Sequence, residues 1–451
     1  MRSNVGNNKQ VKSAGLRGKP PMTFSKSIAQ QRTFNRNWLV DGGASTLISS
    51  LLSIWLILFP VMFPYQLAAE SVHNAAASGS QLIPPVTQDE VLRAWRYKVA
   101  QARSRPVNIV VIGDSIACCF GPANYDNTWT NVLRQAEALR YGDHGSGIIP
   151  IGKDYGLATN PQWSLHPNGG TIDTVPFGPF QAGKGAFGSV FRLQGAAKVT
   201  VLVPIRPPDG ISLYYASASD SVAGIRVSYD DQAAATVDVE STPTLKAQRV
   251  EVPIGKIGSS TLSFSVASGE GSAYLYGIEF TYGKTGVSLH NVAHGYARTE
   301  AWGGDPEAQL SFLPQIRGGI QLAILSLGVN DSINRTGTTA NEYRKHMSAI
   351  ITYLRTADPD MPIVIFDEIS TVAGDSATPL PQSSVRTQEL QLAKEFNVGY
   401  ISPSNVFGTS EEATDRGYLS HDKVHPTDLG DRRIANVIEQ YLVSSTADRV
   451  Q

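Results

Sequence analysis

Hydrophobic and polar positions alternate along this chain in distinct ways, and each pattern predicts a different element. Apolar runs that stop abruptly at a small or polar residue, such as 107–112 and 321–327, are typical of strands buried on both faces of a parallel sheet. Helical spacing marks the apolar positions after the capping box Thr339 to Glu342, namely Tyr343, Met347, Ile350, Ile351 and Leu354. Strand and helix alternate over 87–157 and again over 286–446, which predicts a three-layer α/β/α sandwich around a parallel sheet.

The intervening segment, 158–285, has a different pattern. Helical spacing disappears, and short alternating runs such as K-V-T-V-L-V, I-R-V-S-Y and L-S-F-S-V are separated by Gly, Ser, Pro and Asp. That pattern is typical of an antiparallel β-sandwich. Because the α/β pattern resumes at Gly286, we expect this sandwich to be inserted into the α/β domain.

The N-terminal region predicts an anchor. Residues 1–40 contain eight Lys or Arg and no acid, so we expect 1–41 to be a disordered cytoplasmic leader. Segment 42–69 then runs 28 residues without a charge, long enough for one transmembrane helix, and 70–86 is a linker rich in Ala and Ser. The basic flank predicts a single-pass inner-membrane protein whose body lies in the periplasm or extracellular space. A cleaved signal peptide is the alternative, since small residues follow the apolar run.

Charge and cysteine content narrow the range of partners. The leader holds eight of the 38 basic residues, so the remaining body carries 30 against 39 acids and is too acidic to favour nucleic acid as a partner. Neighbouring cysteines rarely close a relaxed disulfide, so we expect Cys118 and Cys119 to be unpaired packing residues. No His, Asp or Glu cluster has the spacing of metal ligands, so neither a metal nor a cofactor is predicted.

Polar residues with catalytic chemistry stand at the ends of predicted strands. Ser115 follows the first buried run in G-D-S, and Asn330 follows a later one in G-V-N-D. Asp422 and His425 stand three apart just before the last predicted helix. A serine hydroxyl needs a base, so His425 is predicted to accept its proton and Asp422 to fix the imidazole tautomer. The N–H of Ser115 and the amide of Asn330 are candidate oxyanion donors.

In spacing and order these positions resemble the SGNH, or GDSL-type, hydrolases. That resemblance implies an oxyanion hole formed by Ser115, a glycine and Asn330. Gly295 fits the glycine best because it follows the second core strand, while Gly145 and Gly147 are candidates if the insertion is ignored. The layout of a G-D-S strand, a glycine loop at 141–152, a β-sandwich insertion and a terminal D-x-x-H-P is similar to the periplasmic peptidoglycan O-acetylesterases. By analogy the insertion would be a jelly roll like a carbohydrate-binding module.

These patterns predict a serine esterase that removes O-acetyl or similar small acyl groups from a cell-envelope glycan, either peptidoglycan or an exopolysaccharide. A polysaccharide O-acetyltransferase using the same site is an alternative, and a non-catalytic glycan-binding protein is another. Aromatic residues of the insertion are candidates for sugar contacts: Trp163, Tyr214, Tyr215, Tyr274 and Tyr276.

Overall fold

The computed structural model describes most of the chain beyond residue 88. The described residues are 89–118, 121, 125–151, 163–166, 170–176, 189–217, 224–239, 246–254, 260–267, 271–333, 337–369, 371 and 380–443. All lie in one compact unit, Ser78–Gln451. The predicted leader, anchor and linker, 1–86, lie outside them. Within the described ranges, no helix has both the length and the apolar character needed to cross a membrane.

Sixteen strands and ten helices are described, numbered in chain order. The strands are β1 (Pro106–Gly113), β2 (Gly145–Pro150), β3 (Trp163–His166), β4 (Gly170–Pro176), β5 (Ser189–Gly195), β6 (Lys198–Leu202), β7 (Gly210–Ser217), β8 (Gly224–Tyr229), β9 (Gln232–Asp238), β10 (Lys246–Val252), β11 (Thr261–Val266), β12 (Ala273–Thr281), β13 (Gly286–Asn291), β14 (Leu322–Ser326), β15 (Ile363–Phe366) and β16 (Gly399–Ile401). The helices are α1 (Asp89–Val99), α2 (Ser115–Cys118), α3 (Trp129–Tyr141), α4 (Thr299–Gly303), α5 (Pro306–Gln309), α6 (Ala340–Ala357), α7 (Gln382–Glu395), α8 (Ser404–Phe407), α9 (Ser410–Asp415) and α10 (Asp428–Val443).

The parallel sheet has the strand order β13-β1-β14-β15-β16, with every neighbouring pair parallel. Side chains of β1 alternate between its two faces, as the period of two requires. Val107, Ile109 and Val111 pack in one core with α1, α3 and α10, whereas Val110 and Ile112 pack in another with α4, α6 and α7. The predicted α/β fold with a parallel sheet is therefore confirmed, and helices cover both faces.

The strands of 158–285 lie in two antiparallel sheets, one of which also takes in β2 from before that segment. One has the order β10-β7-β12-β5-β4 with β2 added on β12, and the other the order β3-β6-β11-β8-β9. Strand β2 lies within 141–152, which was expected to be a loop, so that expectation is wrong for Gly145–Pro150. The glycine content has a packing cause: at Gly147, with φ +67°, a Cβ would lie 2.1 Å from the carbonyl oxygen of Leu289. Here glycine lets β2 pack closely against β13.

Burial corrects the expectation about the aromatic residues of the insertion. Tyr214, Tyr215, Tyr274 and Tyr276 are all buried, and the hydroxyl of Tyr214 donates to Glu279 across 2.8 Å. A buried ring offers no face to a sugar, so these four belong to the core. The side chain of Trp163 lies outside the described residues.

Cys118 also departs from expectation. It is buried at the end of α2 and is disulfide-bonded, so the expected free thiol is absent there. Geometric strain makes a disulfide between cysteines that are neighbours in sequence uncommon, but it does not prevent one. Cys119, the other cysteine of the chain, lies outside the described residues.

Candidate active site

Ser115 lies at the carboxyl end of β1, where it is the first residue of α2. A Cβ at Gly113 would lie 2.7 Å from Cβ of Ala117 and 2.8 Å from the carbonyl oxygen of Ser326, so the strand turns sharply only because this position is glycine. The first N–H groups of a helix have no intrahelical acceptor. The backbone N–H of Ser115 is one of them.

His425 connects Ser115 to Asp422. Its Nε2 lies 3.0 Å from Oγ of Ser115, and its Nδ1 lies 2.7 Å from Oδ2 of Asp422. Because Asp422 accepts the Nδ1 proton, Nε2 is left as the acceptor that faces the serine hydroxyl. The structure therefore brings the three predicted residues into one hydrogen-bonded series, although Ser115 and His425 are 310 positions apart.

The loop that carries Asp422 is organised around its carboxylate. Oδ1 accepts hydrogen bonds from the Ser420 hydroxyl at 2.6 Å and from the backbone N–H groups of Val424 and His425 at 2.9 and 3.0 Å. Lys423 adopts a φ of +56°, which turns the chain so that both N–H groups face Asp422. Partial burial alone raises the pKa of Asp422, but the hydrogen bonds from His425, Ser420 and Val424 outweigh it and lower the pKa below the usual value. Asp422 is thus held ionised.

Gly121 lies behind the catalytic histidine. Its φ is +103°, and a Cβ there would lie 2.0 Å from the carbonyl oxygen of Pro426 and 3.1 Å from Cβ of His425. Only a glycine allows this close approach of two backbones. No local pattern around Gly121 indicates this role, because its neighbour in space is more than three hundred positions away.

Gly295 and Asn330 lie together beside β1. Residues 294–297 form a turn closed by the N–H of Ala297 donating to the carbonyl of His294. The N–H of His294 donates to the carbonyl of Gly113, and the amide of Asn330 donates to the carbonyl of Ala297 at 3.1 Å. The turn that carries Gly295 is thus tied to β1 at one end and to Asn330 at the other. The rival Gly147 packs against Leu289, which pairs with the middle of β1 and not with its carboxyl end, and Gly145 lies in the same strand β2.

The amide of Asn330 makes a hydrogen bond to Asp114 that the sequence did not predict. Besides the bond to Ala297, Nδ2 donates to Oδ2 of Asp114 at 2.8 Å. Both N–H groups of the Asn330 amide are therefore hydrogen-bonded within the protein. An oxyanion could accept from this amide only by taking the place of the Ala297 carbonyl oxygen. The predicted contact between Asn330 and the oxyanion thus depends on the position of the 294–297 turn.

Asp114 and Glu368 form a buried acidic pair next to the nucleophile, and both are at most 2% exposed. Burial raises the pKa of Asp114 to about 6, although hydrogen bonds from Ile116, Glu368 and Asn330 lower it. Burial and the neighbouring Asp114 raise the pKa of Glu368 well above its usual value. Glu368 follows β15 closely, so polar residues at a buried strand end, the same signal that identified Ser115, would also have found it.

Three histidines near the site, His144, His290 and His294, are buried. Burial lowers the pKa of His290 to about 3 and that of His294 to about 4, and it also lowers the pKa of His144. His294 packs against Trp302, with ring centroids 5.2 Å apart. Across the described ranges, no group of three His, Cys, Asp or Glu residues is placed to hold a metal ion.

Comparison with known proteins finds similarity to acylhydrolases and to an esterase fold. Residues 266–433 match the model of the GDSL-like lipase/acylhydrolase family, a range that includes Gly295, Asn330, Asp422 and His425 and begins after Ser115. A solved structure described as a peptidoglycan O-acetylesterase in action is similar over 79% of this chain and 97% of that chain, with 16% identity and a TM-score of 0.59. At that identity the likeness concerns the fold. No curated protein sequence matches the chain significantly.

Two other solved structures align with lower scores. A salicylyl-acyltransferase from a tetracycline biosynthetic pathway has 13% identity and a TM-score of 0.29 over 67% of this chain and 99% of that chain. A lipase/acylhydrolase from Enterococcus faecalis has 12% identity and a TM-score of 0.29 over 35% of this chain and 76% of that chain. Neither score carries an argument.

Residues 266–433 are similar to the GDSL-like acylhydrolases, and the fold of most of the chain is similar to that of a peptidoglycan O-acetylesterase. With His425 hydrogen-bonded to both Ser115 and Asp422, the chain is a serine ester hydrolase.

Proposed function

We propose that this enzyme removes O-acetyl groups, or a similarly small acyl group, from a glycan of the cell envelope. The observation that carries the proposal is the hydrogen-bonded series in which His425 lies 3.0 Å from the Ser115 hydroxyl and 2.7 Å from Asp422. An imidazole held between a carboxylate and a serine hydroxyl is well placed to activate the serine.

The first half of the reaction forms an acyl-enzyme. Oγ of Ser115 attacks the ester carbonyl carbon while Nε2 of His425 takes the hydroxyl proton. Collapse of the tetrahedral intermediate breaks the bond to the sugar oxygen, which receives that proton from His425. The products of this half are acyl-Ser115 and a free sugar hydroxyl.

The second half regenerates the enzyme. Water attacks the acyl carbon as Nε2 of His425 takes its proton, and the proton then returns to Oγ of Ser115 as the carboxylic acid departs. In both halves the ionised Asp422 stabilises the imidazolium. The N–H groups of Ser115 and Gly295 and the amide of Asn330 are the proposed donors to the oxyanion, each contributing about 3 kcal/mol of transition-state stabilisation.

Two observations support a small acyl group on a sugar. Ser115 is only 8% exposed, which leaves little space around the nucleophile for a long chain. Tyr296 follows Gly295 directly and is 77% exposed, so its flat ring is open to solvent next to a proposed oxyanion donor. Sugar rings pack well against such faces. The peptidoglycan O-acetylesterase of similar fold suggests an acetylated glycan as the first substrate to test.

We also propose that 42–69 anchors the enzyme in the inner membrane with its catalytic domain outside the cytoplasm. The support is the uncharged length of that segment and the basic residues before it. A reporter fused after Gly79 should be active only in the exported compartment, and cytoplasmic activity would reverse the proposed orientation.

The central experiment compares the intact chain with Ser115→Ala on p-nitrophenyl acetate and on O-acetylated peptidoglycan. Wild type should release acetate from both, and Ser115→Ala from neither, because only the nucleophilic oxygen is lost. Equal turnover by the variant would remove Ser115 from the mechanism. Turnover of p-nitrophenyl acetate without release from peptidoglycan, followed by release from an acetylated exopolysaccharide, would change the substrate but keep the reaction.

A further inference from the structure

We propose that Glu368 is a positioning residue of the active site, acting as a neutral carboxylic acid that ties the strand end carrying Ser115 to the strand end carrying Asn330. The proposal rests on the esterase function above, because its consequence is the placement of that reaction's oxyanion donors. Neither the family match nor the G-D-S and D-x-x-H motifs assign this residue.

Glu368 contacts both catalytic strand ends. Its Oε2 accepts from the backbone N–H of Val329 at 2.9 Å, the residue just before Asn330. Its Oε1 accepts from the hydroxyl of Ser326 at 3.1 Å, at the end of β14. Its carboxyl group is also hydrogen-bonded to that of Asp114, the residue just before Ser115. One buried side chain therefore bridges β15, β14 and β1.

Two carboxyl groups in contact share a proton, because two buried negative charges at this distance repel strongly. The partners of Asp114 decide which group keeps the charge. Its Oδ1 accepts the N–H of Ile116 at 2.9 Å, and its Oδ2 accepts the amide of Asn330 at 2.8 Å. With two N–H donors already directed at it, Asp114 is the better anion and Glu368 the better proton donor. Burial favours the same assignment by raising the pKa of Glu368 well above its usual value.

Charged groups on the surrounding elements also shift the pKa values of these buried acids. His425 lies close enough to Asp114 to favour its ionised form. Glu389 on α7 raises the pKa of Glu368 further, and Asp114 itself raises that of Asp331. The carboxylate of Asp331 accepts the N–H and the hydroxyl of Thr299 at 2.9 and 2.7 Å, so it is directed at α4. The carboxyl group in contact with Asp114 is that of Glu368, which makes Glu368 the neutral acid of the pair.

The consequence concerns Asn330. Asp114 holds one N–H of that amide and also caps α2 through Ile116, so it fixes the donor and the nucleophile together. If Glu368 lost its proton, a second negative charge would push Asp114 away from this position. Asn330 and Ser115 would then move relative to each other, which lowers kcat because the oxyanion forms only along the reaction path.

The test compares Glu368→Gln with Glu368→Ala in the full chain. Glutamine reproduces a neutral acid, since its N–H donates to Asp114 while its oxygen accepts from Val329. We expect Glu368→Gln to keep kcat on p-nitrophenyl acetate within about threefold and Glu368→Ala to lose about 10²-fold, with KM nearly unchanged in both. Activity of the wild type should fall at high pH as Glu368 ionises, and this loss should be absent in Glu368→Gln.

Glu389→Gln is the matched control. Glu389 is another fully buried acid, and its carboxyl group accepts the hydroxyl of Tyr343 at 2.8 Å, whereas that of Glu368 contacts Asp114. This variant should keep kcat at neutral pH and keep the loss of activity at high pH, which should begin at a lower pH because Glu389 no longer raises the pKa of Glu368. Thermal melting of every variant, together with the rate at which a fluorophosphonate labels Ser115, separates loss of fold from loss of positioning.

Each result has a defined meaning. Full activity of folded Glu368→Ala would overturn the proposal, and so would an equal loss in Glu368→Gln, because a charged carboxylate would then be required. If Glu368→Ala fails to fold, Glu368→Gln still decides through its kcat and pH profile. If the wild type hydrolyses no ester, the proposed function fails, and the labelling rates of the variants still test the positioning role.

Discussion

The amide of Asn330 donates to the carboxylate of Asp114 across 2.8 Å, although 216 positions separate the two residues along the chain. Asp114 directly follows β1 and Asn330 follows β14, and these strands are neighbours in the parallel sheet. One hydrogen bond thus links the loop of the nucleophile to that of an oxyanion donor. Changes at either residue should therefore affect the reaction more than substrate binding.

Asn330→Ala should lower kcat on p-nitrophenyl acetate by about 10²-fold with little change in KM, because the donor acts on an oxyanion absent from the ground state. Steady-state kinetics on the purified enzyme would measure both constants. A rise in KM alone would assign Asn330 to substrate binding. Since Asp114 also loses a partner, thermal melting should accompany the kinetics.

Gly121→Ala should reduce kcat strongly, because the added Cβ would lie 2.0 Å from the carbonyl oxygen of Pro426 and so displace His425 from Ser115. Gly283→Ala is the matched control. Gly283 also has a positive φ, +83°, but nothing lies within 4 Å of an added Cβ. The control should show backbone strain without loss of turnover. Equal kcat in the two variants would contradict a role for Gly121 in placing the histidine.

Tyr296→Ala should raise KM for an acetylated glycan by up to about tenfold and leave p-nitrophenyl acetate nearly unaffected, because the lost ring would contact the sugar and not the ester. Tyr296→Phe should retain most of the glycan activity. Tyr97, which is 73% exposed on α1, provides the control: Tyr97→Ala should change neither substrate. Equal losses on both substrates would place Tyr296 in the catalytic scaffold.

Glu137→Gln should make stability less dependent on pH. Glu137 is buried on α3, and burial raises its pKa from 4.5 to about 7, with Arg140 lowering it and Glu439 raising it. The folded protein therefore binds a proton between these pH values that the unfolded chain has released. Its free energy of unfolding should fall as pH rises through this window, by roughly 3 kcal/mol from this group.

Urea denaturation of the wild type and Glu137→Gln at pH 5 and pH 8 would measure this loss. The difference between the two pH values should shrink in the variant. Glu307→Gln, at an acid on α5 that is not buried, should leave the difference as it is in the wild type. A pH dependence unchanged by Glu137→Gln would show that other buried acids cause it.

The local sequence pattern alone predicted the parallel sheet, the N-terminal cap of α6 and the candidate residues at strand ends. In the structure Thr339 forms its capping box with Glu342. These features depend on side-chain period and on residues at most four apart, which a sequence displays directly. Asp422 and His425 are likewise close in sequence, because they are three positions apart and lie on a single loop.

Tertiary structure decided what depends on residues far apart in sequence. Strand β2 exists because Ile148 and Ile149 pair with β12 more than a hundred positions away, and no local period shows that pairing. The sequence left open whether Tyr214, Tyr215, Tyr274 and Tyr276 face solvent, and packing buries all of them. Glu368 acquires its neutral role only when β1, β14 and β15 lie side by side, because burial and a second carboxyl group, not the residue type, set the free energy of its ionisation.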